Sequence, residues 1–330
     1  MPISQNALIW LRLAADEKAP MLDVRSPAEF HAGHIPGAIS FPLFSDEERH
    51  QIGLTYKQQG PQTAQLLGLS FVGPRLKSMA EEALRRAPGG RVFIHCWRGG
   101  MRSASVAWLL EFAGLRVHLL QGGYKAFRHL CLDQFARPRR LRILAGLTGS
   151  GKTEILAKIA GTDASWVDLE SLAHHRGSAF GGLGQLPPPT QEQFENDLAR
   201  ALMDLPGDRD LWLEDESRKI GRVHLPEPFF QQMHRAPVTW LEVPTEERVR
   251  RIVADYTAAP ASDLADVVGR LERKLGGLRT RRIQDHIHAK EWETAVRLLL
   301  EYYDRTYLFG FERRGGPALI AERRGPPVAE

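Results

Sequence analysis

Cysteine is almost absent. The 330-residue chain has two, Cys96 and Cys131. Two thiols cannot build a disulfide framework, and their scarcity points to a reducing, cytoplasmic setting. Long apolar runs are missing as well: none approaches the roughly 20 residues that cross a bilayer. No early segment joins a charged start to an apolar stretch, so neither export nor membrane association is expected. No fixed-period repeat is present, which argues against a solenoid. Charge of one sign is also lacking. Lys and Arg number 44 against 40 Asp and Glu, a net +4. That balance permits a nucleic-acid partner without requiring one. The Pro-rich stretch GQLPPPT (184–190) is too short to count as low complexity.

What is present is an ordinary globular composition, 43% hydrophobic and 25% charged. The length calls for two domains. Strand-like apolar segments occur at Met21–Val24, Ala38–Phe41 and in GGRVFIHC and RVHLLQGG. Residues 44–74 read as polar and loop-like, with a helix near Thr63–Leu67. Helical periodicity follows over 75–87 and in MRSASVAWLLEFAGL, which Gly114 ends. Strands alternating with helices imply a parallel α/β sheet. A basic linker, ARPRRLRI (136–143), opens a second α/β unit. Its strands are expected in LRILAGL, 165–169, 210–216 and 237–243. From Glu246 onward the chain reads as mostly helical and arginine-rich. The expected boundaries are 1–136 and 137–330.

FIHCWRGGMRSASV (93–106) places Cys96 at a strand end, before a loop that leads into a helix. Backbone N–H groups of such a loop, with the helix N-terminus, form an anion cradle. The same field lowers a thiol pKa and makes Cys96 a candidate nucleophile. Trp97, Arg98, Gly99, Gly100, Met101 and Arg102 complete the candidate loop. Arg98 and Arg102 add positive charge, and the glycines allow close backbone approach. Cys-x5-Arg spacing is shared by thiol-based phosphatases, so the loop alone leaves the chemistry open.

GLTGSGKTEIL (146–156) fits G-x-x-x-x-G-K-[ST] between a strand and a helix. Gly146, Thr148, Gly149, Ser150, Gly151, Lys152 and Thr153 would cradle a di- or triphosphate, with Mg²⁺ as an accompanying ion. Asp168 and Glu170, or Glu214, Asp215 and Glu216, stand at strand ends as candidate acids for that site. AHHRGSAFG (173–181) offers His175 and Arg176 in a Gly-flanked loop. No second set of Cys or His completes a zinc site, so a basic binding loop is expected and no fixed protein-ligated metal. Arg218, Arg279, Arg281 and Arg282 are candidate RNA contacts. The tyrosines of LLLEYYDRTY read as packing residues, with base stacking as the alternative.

LDVRSPAEFHAGHIPGAI resembles the N-terminal signature of rhodanese domains, and the whole chain resembles the bacterial tRNA 2-selenouridine synthases. Beyond the two loops, the stretches that carry this are DEERHQIGLTYKQQGP, QGGYKAFR, DLESLAHHRGSAFG, EDESRKIG and LLLEYYDRTY. The resemblance implies a rhodanese-like parallel sheet with helices, followed by a P-loop NTPase-like α/β domain with a helical C-terminal part. The Cys-to-Arg loop is one residue longer than in ordinary sulfurtransferase rhodaneses, which suits a larger tetrahedral anion. The implied activity replaces the sulfur of wobble 2-thiouridine with selenium in the tRNAs for lysine, glutamate and glutamine. Geranyl diphosphate first alkylates the sulfur, and selenophosphate then supplies selenium. No tightly bound cofactor is implied, and the selenophosphate-producing enzyme is a candidate partner. The alternative is a Cys-x5-Arg phosphatase fused to a P-loop kinase-like domain.

Overall fold

A computed structural model describes residues 2–159, 164–207, 209–256, 259–316 and 320–325. The chain forms two compact units. One comprises residues 1–134 with 195–200, the other 135–194 with 201–330. No described helix is long and apolar enough to cross a membrane.

The first unit holds a five-stranded parallel sheet. Its strands are β1 (Ile3–Gln5), β2 (Met21–Asp23), β3 (Ile39–Ser40), β4 (Arg91–His95) and β5 (Arg116–Leu120), in the order β1-β5-β4-β2-β3. β4 is buried at every position after Arg91, as befits a central strand covered on both faces. Helices α1 (Ala7–Asp16), α2 (Pro27–Ala32), α3 (Asp46–Gln59), α4 (Pro61–Val72), α5 (Leu76–Arg86), α6 (Met101–Phe112) and α7 (Gly123–Ala136) connect and flank the strands. Leu22, Val24, Val92, Ile94, Val106, Leu110 and Val117 form the core.

The loop-like expectation for 44–74 is corrected, because α3 and α4 fill most of it. Ser45 caps α3 by accepting from Glu48 N, while the Glu48 carboxylate accepts from Ser45 N, a reciprocal capping box. No residue of α3 is fully buried, so no apolar stripe betrays it. Pro61 starts α4 at a position where its missing N–H costs nothing.

The second unit has its own parallel sheet, β12-β11-β6-β8-β7. The strands are β6 (Leu141–Ala145), β7 (Ser165–Trp166), β8 (Leu211–Glu214), β11 (Val238–Leu241) and β12 (Ile320–Arg324). A separate hairpin pairs β9 (Lys219–Ile220) with β10 (Val223–His224). Helices α8 (Lys152–Ile159), α9 (Leu169–Leu172), α10 (Gln191–Asp204, of which 195–200 count with the first unit), α11 (Glu227–Arg235) and α12 (Thr245–Tyr256) alternate with the strands. Helices α13 (Ala261–Arg270), α14 (Glu272–Leu275), α15 (Gly277–His288) and α16 (Trp292–Arg313) follow, packed on Leu264, Val268, Ile283, Ile287 and Leu299. The strand expected at 165–169 ends at Trp166, because Asp168 turns away to cap α9 by accepting from Ser171 N. β12 interrupts the helical tail expected after Glu246.

Candidate functional sites

Each sheet presents one loop at the carboxyl end of a strand, where ligands of open α/β sheets bind. Each is built from its own unit.

The first loop follows β4 and enters α6. Gly99 adopts φ +69°, and its α-carbon faces the Leu120 carbonyl and the Gly122 N–H. Gly123, at φ +60°, lies so close that an added Cβ would sit 2.4 Å from the Cys96 carbonyl oxygen. The Tyr124 N–H donates to that carbonyl at 2.8 Å, and the Lys125 N–H donates to Trp97 O at 3.0 Å. The stretch QGGYKAFR is therefore the floor that shapes the cysteine loop.

Cys96 is 3% exposed, and its Sγ lies 3.2 Å from Ser103 Oγ. Burial opposes a thiolate. The Ser103 hydroxyl, with the N–H groups of Ser103, Arg98 and Gly100, outweighs burial and holds the thiol below its ordinary value. Ser103 stands beside the expected loop and lies outside the set that the motif nominates. Its signal is its place one residue after Arg102, on the first turn of α6. Arg102 is not turned wholly to the loop: its guanidinium makes two hydrogen bonds to Glu29, at 2.6 and 3.2 Å. Cys96, Trp97, Arg98, Gly100, Met101, Arg102, Glu29 and Arg49 line one depression. Arg98 is exposed and has no ion pair among the described residues.

Beneath the loop, Asp23 and Arg25 form an ion pair with both side chains fully buried. Arg25 also donates to Gly33 O at 2.7 Å and lies 3.8 Å from the Tyr124 ring centre. His95 lies 3.7 Å from Asp23. Burial drives its pKa down to about 4. Asp23 is held below its ordinary value against burial, by His95 and Arg25. Because His95 is neutral near pH 7, Arg25 supplies that hold in neutral solution. The DVR of the rhodanese-like signature is thus a buried electrostatic support. Cys131, also buried, has its pKa pushed up to about 12 by burial and is an inert thiol.

The second loop joins β6 to α8. Lys152 Nζ donates to Gly146 O at 3.0 Å, so it lies across its own loop. Ser150 Oγ is buried and has no hydrogen-bond partner among the described residues. Gly149 and Gly151, at φ +80° and +77°, pack against Ile252 and the Arg251 guanidinium of α12. Arg251 donates to Gly149 O at 3.1 Å. Arg248 donates to Thr148 O at 3.1 Å and pairs in fork fashion with Asp304 of α16. These two arginines, expected only as part of a basic helical face, brace the phosphate loop.

The candidate acids divide. Ligand oxygens of Glu170, Glu214 and Glu216 all lie within 4.8 Å of one another. Thr153 Oγ1 donates to Glu214 Oε1 at 2.5 Å. Burial, then mutual repulsion, raises the pKa of Glu170 to about 7 and that of Glu216 well above the usual range. Burial also raises Glu214, against the pull of Lys152. Gly177 of HHRGSAFG makes room for the trio: an added Cβ would sit 2.4 Å from Glu170 Oε1. Asp168 and Asp215 stay out of this cluster. Asp168 caps α9. Asp215 accepts from Tyr307 OH and from both Arg314 nitrogens, each at 2.5 Å. The Tyr307 hydroxyl also accepts from Gly146 N at 3.4 Å, so Tyr307 lines the cleft against the start of the phosphate loop.

His175, Arg176 and Arg218 line the open cleft around the phosphate loop. Arg218 pairs with Glu227, and Arg279 pairs with Glu301. Arg281 and Arg282 are exposed on α15.

Comparison with known proteins matches residues 8–130 to a rhodanese-like domain and residues 139–272 to the tRNA 2-selenouridine synthase AAA domain. A tRNA 2-selenouridine synthase of Cupriavidus pinatubonensis is 38% identical over 89% of this chain and 89% of its own. One from Ectopseudomonas mendocina is 38% identical over 90% and 88%. One from Bdellovibrio bacteriovorus is 37% identical over 90% of each.

Proposed function

The chain belongs to the tRNA 2-selenouridine synthase family, and on that footing we propose a tRNA-modifying transferase that replaces the sulfur of wobble 2-thiouridine with selenium in two steps. The observation that carries this is the presence in one chain of a thiolate cradle and a separate phosphate loop. In the first step the uridine sulfur attacks C1 of geranyl diphosphate. The C–O bond breaks and diphosphate leaves with the electron pair. Lys152, the orphaned Ser150 hydroxyl and the loop N–H groups bind that diphosphate. Crowded hard oxygens beside Thr153 fit Mg²⁺. Thr153, Glu170, Glu214 and Glu216 would hold the ion, which would neutralise the leaving group.

In the second step the Cys96 thiolate attacks the phosphorus of selenophosphate. The P–Se bond breaks and selenium leaves as hydrogen selenide. Water then hydrolyses the phosphocysteine to phosphate and the free thiol. Selenide adds to the ring carbon, the C–S bond breaks and geranyl thiol departs. Electron counting favours attack at phosphorus. Attack at selenium to form a seleno-persulfide would leave phosphorus reduced by two electrons, and another thiol would be needed to release selenide. Arg98 and the loop N–H groups bind the anion, while Glu29 orients Arg102.

The tRNAs for lysine, glutamate and glutamine are the proposed substrates in the cytoplasm, with the selenophosphate-producing enzyme as a supplier. His175, Arg176 and Arg218 at the cleft, and Arg279, Arg281 and Arg282 on α15, are the proposed RNA contacts. Cys96→Ala should stall at the S-geranyl nucleoside. Lys152→Ala should fail to geranylate yet still convert tRNA that is already geranylated. A Cys96→Ala enzyme that makes 2-selenouridine would overturn the second step. The Cys-x5-Arg loop keeps one rival in view, a phosphatase, which would release phosphate from aryl phosphates without tRNA.

A further inference from the structure

Residues 195–200 of α10 count with the first unit, although in sequence they lie within the stretch matched to the AAA domain. Asn196 among them is fully buried. Its amide makes three hydrogen bonds. Oδ1 accepts from Arg128 Nη1 at 2.6 Å, and Nδ2 donates to His34 O at 2.9 Å and to Tyr124 OH at 2.7 Å. These partners fix which way the amide faces, because a guanidinium only donates and a carbonyl only accepts. Arg128 is held in turn by Glu195.

Tyr124 is also fully buried, and its parts serve different neighbours. The hydroxyl accepts from Asn196, the ring lies 3.8 Å from the Arg25 guanidinium, and the N–H donates to the Cys96 carbonyl at 2.8 Å. One residue earlier, Gly123 packs so closely that an added Cβ would sit 2.6 Å from Gly99 N and 2.8 Å from Arg98 N. A shift of this turn therefore displaces the Arg98 N–H, one of the groups that hold the Cys96 thiol below its ordinary value. Close-packed interiors transmit such shifts and do not absorb them.

We propose that Asn196 is a positioning residue for the selenium-transfer step: through Tyr124 it holds the Gly123–Tyr124 turn against the Cys96 loop. The inference rests on the reading of Cys96 as the nucleophile, and it adds what keeps the cradle in place. Side-chain chemistry favours an amide here. An aspartate would keep the shape and the bond to Arg128 but offer no donor to His34 O, and a leucine would offer neither.

The test uses the full chain with Asn196→Ala, with Tyr124→Phe and with both. Cys96 alkylation by iodoacetamide is followed against pH. Conversion of S-geranyl tRNA with selenophosphate is measured beside geranylation of 2-thiouridine tRNA. A neutral hydrogen bond is worth about fivefold. In Asn196→Ala, selenium transfer should therefore fall about fivefold in kcat with the tRNA KM unchanged, and the alkylation midpoint should rise. Geranylation, which belongs to the other loop, should keep its rate. Tyr124→Phe should move both readouts the same way, and it carries the test if Asn196→Ala fails to fold. The double variant should be no slower than Asn196→Ala, because both changes break one link. Multiplied losses in the double variant would overturn the path through Tyr124. Unchanged midpoints and unchanged transfer in both single variants would overturn the positioning role and leave Cys96 as the nucleophile. Equal loss of geranylation and selenium transfer would show a structural role alone and also overturn it. Selenium transfer that survives Cys96→Ala would overturn the reading of Cys96 and the positioning role together.

Discussion

Ser103→Ala should separate thiolate population from thiolate strength. The hydroxyl lies 3.2 Å from Cys96 Sγ and 3.0 Å from Gly100 O, and its single proton turns from that carbonyl to the sulfur when the thiol is ionised. A hydrogen bond to a charged group contributes about 1.5 kcal/mol at the low end, close to one pKa unit. Its removal should raise the Cys96 pKa by about one unit. On the acid side of both titrations the thiolate fraction then falls about tenfold. The more basic thiolate is intrinsically about threefold more nucleophilic. The net result is alkylation roughly three- to fourfold slower at acid pH and about threefold faster at alkaline pH, so the two pH–rate curves cross. Iodoacetamide kinetics on the intact chain, followed by mass spectrometry, measure this. Superimposable curves would refute the assignment of Ser103 as a thiolate donor. A uniform slowing at all pH values would instead indicate a distorted loop.

The remaining predictions draw on the same geometry. Cys131, pushed up to about 12 by burial, should stay unmodified in the native chain while Cys96 takes one equivalent of iodoacetamide near neutral pH; two labels in native buffer would contradict this. His95 has a folded pKa of about 4, below its unfolded 6.5. Its stabilisation is complete above pH 6.5 and is lost as pH falls toward 4, by about 3 kcal/mol. Protection over β4, taken as hydrogen exchange relative to the unfolded chain's own rate at each pH, should fall across that window, and unchanged protection there would be the contrary result. Asp23→Asn leaves the fully buried Arg25 without its carboxylate and should cost about 3–5 kcal/mol in urea melts; a cost under about 1 kcal/mol would show that Tyr124 and Gly33 suffice. Glu214→Gln should weaken diphosphate binding about tenfold with Mg²⁺ and leave it unchanged with EDTA, as read by calorimetry; equal loss in both would remove the ion from that carboxylate.

Both candidate loops are legible in the sequence because each is contiguous: strand, glycine-bearing loop, helix. What shapes them is less so. The Gly123 floor lies 27 residues beyond Cys96, and no local pattern ties the two. Arg251 reaches Gly149 over a separation of 102 residues, so in sequence it reads as one more arginine of the helical stretch after Glu246. Strand-end carboxylates look alike in sequence. Register alone sends Glu214 and Glu216 toward Glu170, while Asp215 between them turns to Arg314. α3 is hidden for another reason: it carries a capping box but buries no residue fully, so the apolar period is missing. The fold class is readable from the alternation of strands and helices, whereas β12 near the C-terminus is exposed and charged, IAERR, and lacks any strand-like alternation.

The most direct measurement is mass spectrometry of the wobble nucleoside after the full chain acts on 2-thiouridine tRNA with geranyl diphosphate, with and without selenophosphate. S-geranyl-2-thiouridine without selenophosphate, and 2-selenouridine with it, is the result expected. An unaltered 2-thiouridine under both conditions would contradict the two-step account.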